Sequence, residues 1–218
     1  MIAVWMYKRI LLLGDSQTQC GASPQGWVNL LAEKYCRYLD ITNRGLSGYN
    51  TRWTLDRICD IVPAVPAYHY DLGVVWFGAN DAVREGFSQH VPQREYSSNL
   101  TQIVSKLIDC IGIQPYNILI LTPACIDEAM LNKVFSDEAR TNERMREYAD
   151  LALTVAHERH CQSADLFSLF SDHVTEDLFT DGLHLEKRGN KLVADVVDKF
   201  LSGRVHQTLP IPDWKDLC

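Results

Sequence analysis

Arg9-Ile10-Leu11-Leu12-Leu13-Gly14-Asp15-Ser16-Gln17-Thr18 joins an unbroken apolar run to a polar turn. A strand with one solvated face alternates apolar and polar residues; a continuous run belongs to a strand covered on both faces, as in parallel sheets flanked by helices. Short apolar runs recur at Leu39–Thr42, Leu72–Phe77, Asn117–Thr122 and Ala164–Leu169, and the central members are likewise continuous. Helical stretches are expected between them at about 26–38, 54–62, 95–111, 138–160 and 189–201. In the last of these Leu192, Val193, Val196, Val197 and Phe200 make a single apolar face. Strand and helix alternating along the chain predict one three-layer α/β domain over residues 1–201 with a mostly parallel sheet. Residues 202–218, with Pro210 and Pro212 around Ile211, lack periodicity and are expected to form a tail.

The 218 residues are 46% hydrophobic, with 28 acidic and 21 basic side chains for a net charge of −7. This balance excludes a disordered chain and gives no attraction for phosphate backbones, so a small-molecule partner is expected and nucleic acid is not. Lys8 and Arg9 interrupt the apolar stretch that a signal peptide would need, and no run reaches 18 apolar residues. The expectation is a cytoplasmic protein without stable membrane insertion. Cys20, Cys36, Cys59, Cys110, Cys125, Cys161 and Cys218 are odd in number and contain no CxxC, which predicts buried free thiols in a reducing compartment. His157-Glu158-Arg159-His160 is one residue short of H-E-x-x-H, and no metal is expected.

Ligands of open α/β sheets bind at the carboxyl ends of strands, so the polar residues after each apolar run are the ones to weigh. After the first run, Ser16 sits where a strand-to-helix turn exposes a hydroxyl beside backbone N–H groups; Asp15 or Ser16 as a plain helix cap explains the same residues. After the second comes Asn43-Arg44-Gly45-Leu46-Ser47-Gly48-Tyr49-Asn50, whose glycines let backbone donors approach a ligand. After the third, Gly78-Ala79-Asn80-Asp81 offers either a carboxamide donor or an N-cap. Near the end, Asp181-Gly182-Leu183-His184 can be a local cap, or a carboxylate orienting an imidazole that activates a serine. Taken together the four blocks supply nucleophile, base, orienter and oxyanion donors, which separate caps would not do. Neither G-x-S-x-G nor a nucleotide-binding glycine motif is present.

These four blocks, in this order and spacing across about residues 9–201, resemble those of the SGNH (GDSL-type) hydrolases. Asn43 to Trp53 and Asp181 to Leu185 look most like the isoamyl acetate-hydrolysing esterase group. The resemblance implies a flavodoxin-like α/β/α sandwich with a five-stranded parallel sheet. It implies Ser16 as nucleophile, His184 as base and Asp181 as its orienter, with an oxyanion hole from the Ser16 and Gly48 N–H groups and the Asn80 side chain. The implied activity is hydrolysis of carboxylic esters of short to medium acyl chains, without cofactor or metal. Other ester or thioester chemistries on the same site are lysophospholipid hydrolysis, sugar deacetylation and acyl transfer; a non-enzymatic scaffold is the different-class alternative. Gln17 replaces the usual aliphatic residue next to the nucleophile. With Tyr49, Trp53, Val83, Phe87, Cys125 and Ile126 it is a candidate for the substrate pocket, and segment 82–94 is a candidate lid. Trp5, Trp27, Trp76 and Trp214 are given no site role; Trp214 and Leu217 in the tail allow either a homodimer contact or packing on their own chain.

Overall fold

The computed structural model describes residues 7–63, 69–135, 139–173, 177–205 and 215. Strands β1 (Lys8–Gly14), β2 (Leu39–Gly45), β3 (Leu72–Trp76), β4 (Ile118–Leu121) and β5 (Gln162–Ala164) form a sheet of order β2-β1-β3-β4-β5. All four pairings are parallel. This is the flavodoxin-like doubly wound order. After β1 the chain moves outward to β2, then returns to the other side of β1 to lay down β3. The crevice at this reversal opens beyond the carboxyl ends of β1 and β3, directly before Ser16 and Asn80.

The helices are α1 (Ser16–Cys20), α2 (Trp27–Lys34), α3 (Thr51–Asp56), α4 (Ile58–Ile61), α5 (Gln93–Asp109), α6 (Glu128–Phe135), α7 (Asn142–Glu158), α8 (Leu166–Ser171) and α9 (Lys187–Val205). Successive strand side chains point to opposite faces, so the unbroken apolar runs feed two cores. Leu11, Leu13, Val75 and Ile120 pack with Leu100, Ile103 and Val104 of α5 and Met145, Tyr148 and Ala152 of α7. Ile10, Leu12, Val74 and Leu119 pack on the other face with Trp27 and Leu31 of α2 and Val193, Val197 and Leu201 of α9. Each fully buried Leu, Ile or Val contributes roughly 1.5–3 kcal/mol, so both helical layers are held mainly by these faces.

Several local expectations change. The run Ala164–Leu169 is not a strand: pairing stops at Ala164, the Asp165 side chain accepts from the Ser168 N–H, and α8 begins. The stretch 54–62 is two short helices meeting at Arg57. Helix α7 starts at Asn142, where the Thr141 hydroxyl accepts from the Arg144 N–H, and α9 continues past 201 to Val205. Cysteines are free as expected, but Cys20, Cys36, Cys59 and Cys110 are exposed and Cys161 is half-buried, so Cys125 alone is buried among the described ones. Their positions on helix rims and turns outside the sheet explain this. Trp5, Trp214, Leu217 and Cys218 lie outside the described residues. Among the described residues no helix is long and apolar enough to cross a membrane.

Candidate active site

The β1 chain leaves the sheet at Gly14 and turns at once into α1. Asp15 is its N-cap, with Oδ1 accepting from the Gln17 N–H at 2.9 Å, which places Ser16 in the first helical position. Gln17 then anchors the turn on both sides. Its carbonyl accepts from the Trp27 indole at 2.9 Å, and its Nε2 donates to the Leu183 carbonyl at 2.6 Å. The residue that departs from the aliphatic pattern therefore ties the Ser16 turn to the loop carrying His184.

That loop is itself organised by Asp181. One carboxylate oxygen accepts from the Leu183 and His184 N–H groups at 2.9 and 2.7 Å, and the other lies 2.6 Å from His184 Nδ1. Because a carboxylate only accepts, Nδ1 carries the proton and Nε2 of the neutral ring is an acceptor. His184 Nε2 is 3.0 Å from Ser16 Oγ, so the serine hydroxyl can donate to it. Burial works to raise the Asp181 pKa, but its hydrogen bonds from the His184 ring and the two amides outweigh that, and the carboxyl is held below its ordinary value. It stays ionised beside any positive charge that develops on the imidazole.

The other polar blocks follow β2 and β3. Gly48 has φ of +78°, a left-handed conformation that a glycine adopts without strain. The Asn80 side chain is buried at 4% exposure and donates through Nδ2 to the Tyr49 carbonyl at 2.8 Å. Its Oδ1 accepts from Gln89 Nε2 and from Arg140 Nη2, both at 3.2 Å. Neither Gln89 nor Arg140 carries a local spacing signal; they reach Asn80 from 9 and 60 residues away. Two further carboxyls are buried nearby. Burial pushes Asp15 up to about 7 and Asp81 up to about 6, against the hydrogen bonds from Gln17 and Thr51 respectively.

A cavity of about 300 Å³ lies beside His184, bordered by Gln17, Cys20, Gln25, Thr180, Glu186 and Lys187 among others. Of the seven pocket candidates Gln17 alone lines it. Tyr49 and Trp53 pair edge to face at 6.2 Å, Val83, Cys125 and Ile126 are buried, and Phe87 is exposed under the Arg84 guanidinium. Segment 82–94 is pinned at several points. Arg144 donates to the Ala82 and Val83 carbonyls, the His90 ring meets the Val83 carbonyl, and Gln93 opens α5.

A hydroxyl, an imidazole and a carboxylate in line at the carboxyl edge of a doubly wound parallel sheet define the serine hydrolase class. Within that class, the chain belongs to the GDSL-like Lipase/Acylhydrolase family, whose model matches residues 12–192. It is 34% identical to the isoamyl acetate-hydrolyzing esterase 1 homolog of Rattus norvegicus, over 97% of this chain and 89% of that protein. It is 39% identical to a GDSL esterase/lipase of Arabidopsis thaliana, over 90% of this chain and 86% of that one. Among solved structures, a lipase/acylhydrolase from Enterococcus faecalis covers 94% of this chain and 100% of its own, with TM-score 0.75 and 23% identity. An acetyl xylan esterase shares the fold at TM-score 0.71 and 22% identity, covering 90% of this chain and 100% of its own.

Proposed function

We propose that this hydrolase cleaves carboxylic esters of short to medium acyl chains through an acyl-enzyme intermediate. The observation that carries the reading is the continuous line from Asp181 through His184 to Ser16, at 2.6 and 3.0 Å. In this reading His184 Nε2 takes the Ser16 proton as Oγ attacks the ester carbonyl carbon. The oxyanion is met by the Ser16 and Gly48 N–H groups and by the Asn80 Nδ2 hydrogen not given to Tyr49. Collapse of the tetrahedral intermediate breaks the bond to the alcohol oxygen, which receives the proton from His184. Water, deprotonated by the same ring, then attacks the acyl carbon and frees Ser16.

Relatives named as homologs of an isoamyl acetate-hydrolyzing esterase support a small ester as substrate. The cavity beside His184 favours a second reading of the leaving group. Gln25, Thr180, Glu186 and Lys187 at its border suit a hydroxylated alcohol such as an acetylated sugar. The proposal extends to a cytoplasmic location, supported by the free thiols, four of them exposed.

The test is hydrolysis of p-nitrophenyl esters from acetyl to palmitoyl by the purified protein and by Ser16→Ala, with isoamyl acetate and a peracetylated sugar beside them. The expected result is turnover that peaks at short chains and falls by about three orders of magnitude or more in Ser16→Ala. Turnover that survives in Ser16→Ala would overturn the mechanism. A rate for the acetylated sugar above that for isoamyl acetate would select the hydroxylated leaving group.

A further inference from the structure

The side-chain amide of Asn80 has two ways round, and only one presents a donor to an oxyanion. Three contacts decide it. Gln89 Nε2 and Arg140 Nη2 are both donors and point at the same atom of the Asn80 amide, which must therefore be oxygen; the Tyr49 carbonyl is an acceptor and faces the other, which must be nitrogen. With one Nδ2 hydrogen committed to Tyr49, the second is left for a ligand.

Gln89 also reaches the other candidate donor. Its Nε2 has two hydrogens: one goes to Asn80 Oδ1 at 3.2 Å, the other to the Gly48 carbonyl at 2.8 Å. Its Oε1 accepts from Arg140 Nη2 at 3.2 Å, its carbonyl accepts from Asn50 Nδ2 at 2.8 Å, and Arg140 Nε is held by the Ala79 carbonyl at 3.2 Å. One carboxamide thus clamps the loop after β2 to the loop after β3. A guanidinium fixes the clamp and sits on the oxygen end of the Asn80 dipole, where its positive charge polarises the amide toward a stronger donor.

We propose that Gln89 and Arg140 are positioning residues of the oxyanion hole, holding Gly48 and Asn80 in register and fixing the direction of the Asn80 amide. This rests on the proposed ester hydrolysis. The turn 84–90 is then a wall of the site through Gln89, rather than a lid over it. A half-buried glutamine becomes a determinant of turnover because each of its polar side-chain atoms is committed to the donors or their brace.

The variants are Gln89→Glu, which keeps the shape but loses both donors, Gln89→Ala, Arg140→Met and the conservative Arg140→Lys. With p-nitrophenyl acetate, Gln89→Glu and Gln89→Ala are expected to lower kcat by on the order of ten- to a hundredfold, with KM within about threefold. In an Asn80→Ala background the same Gln89 change should cost distinctly less, because part of what it positions is gone. Arg140→Lys should recover part of the loss seen in Arg140→Met. A kcat within twofold of the parent in both Gln89 variants, a loss confined to KM, or full multiplicativity with Asn80→Ala would each overturn the proposal. An independent reading needs no turnover. The Asn80 carboxamide proton resonances, assigned by their disappearance in Asn80→Ala, should shift and lose protection from solvent exchange in Gln89→Ala. Resonances unmoved in Gln89→Ala and Arg140→Met would overturn the proposal even if the parent hydrolysed no ester, whereas an inactive parent with shifted resonances would count against the ester reading alone.

Discussion

Asp15 precedes the proposed nucleophile and Asp81 follows Asn80, and each is almost wholly buried, at 1% and 0% exposure. Burial lifts them from an ordinary 3.8 to about 7 and about 6, so between pH 4 and 7 the folded chain holds protons that the unfolded chain has released. Stability must then fall as pH rises through that window, by up to ~1.4 kcal/mol for each unit of raised pKa. Asp181, Asp165, Asp198 and Glu95 are shifted the other way, and their contribution is lost only as pH falls below about 4. The expected outcome is a thermal midpoint higher at pH 5 than at pH 8. Asp15→Asn, which keeps an acceptor for the Gln17 amide, should flatten the slope; an unchanged slope would mean that Asp15 is ionised throughout. At this scale Ser16, Gly48 and Asn80 were legible because each lies in a short block soon after a strand, and Asp181 and His184 because they are three apart just ahead of the last helix. Gln89 and Arg140 were not, since their meaning comes from contacts made only after β2, β3 and α7 are assembled.

At the scale of elements, α1 is seated on β2. A Cβ at Gly45 would lie 2.1 Å from the Gln19 nitrogen and 2.6 Å from the Thr18 carbonyl carbon, so backbone would have to move. Gly45→Ala is therefore expected to destabilise by about 1–3 kcal/mol and, because α1 carries Ser16, to lower kcat as well. Urea unfolding and p-nitrophenyl acetate turnover check the two effects; a stable variant with parental kcat would show that α1 shifts freely. Strands β1, β3 and β4 were legible as unbroken apolar runs because burial on both faces leaves no alternation. The last strand was misplaced for the same reason. Leu166-Phe167-Ser168-Leu169-Phe170 is apolar enough for either element, and the deciding feature, Asp165 capping α8 while the Thr122 hydroxyl accepts from Leu166 N at 2.8 Å, is half local and half tertiary.

For the whole molecule, the two cores and the site occupy different parts of one sheet, so stability and turnover should be separable. Leu11 is 0% exposed on β1, between β2 and β3, and Leu11→Ala should cost ~2–5 kcal/mol. At this size that is a drop in thermal midpoint of roughly 2–4 °C per kcal/mol, with kcat of the folded protein near the parental value. A variant that melted normally yet lost turnover would place Leu11 in the site's support instead. The three-layer architecture was legible because alternating strand and helix allow few arrangements of a parallel sheet, and those arrangements gather the strand ends on one edge. Ser16 and His184 meet across 168 residues of chain. During synthesis at about 5–20 residues per second, the proposed nucleophile leaves the ribosome roughly 10–30 s before its base. A growing polypeptide therefore carries an unarmed serine for most of translation, and hydrolytic competence arrives only after the last strand of the sheet has already been made.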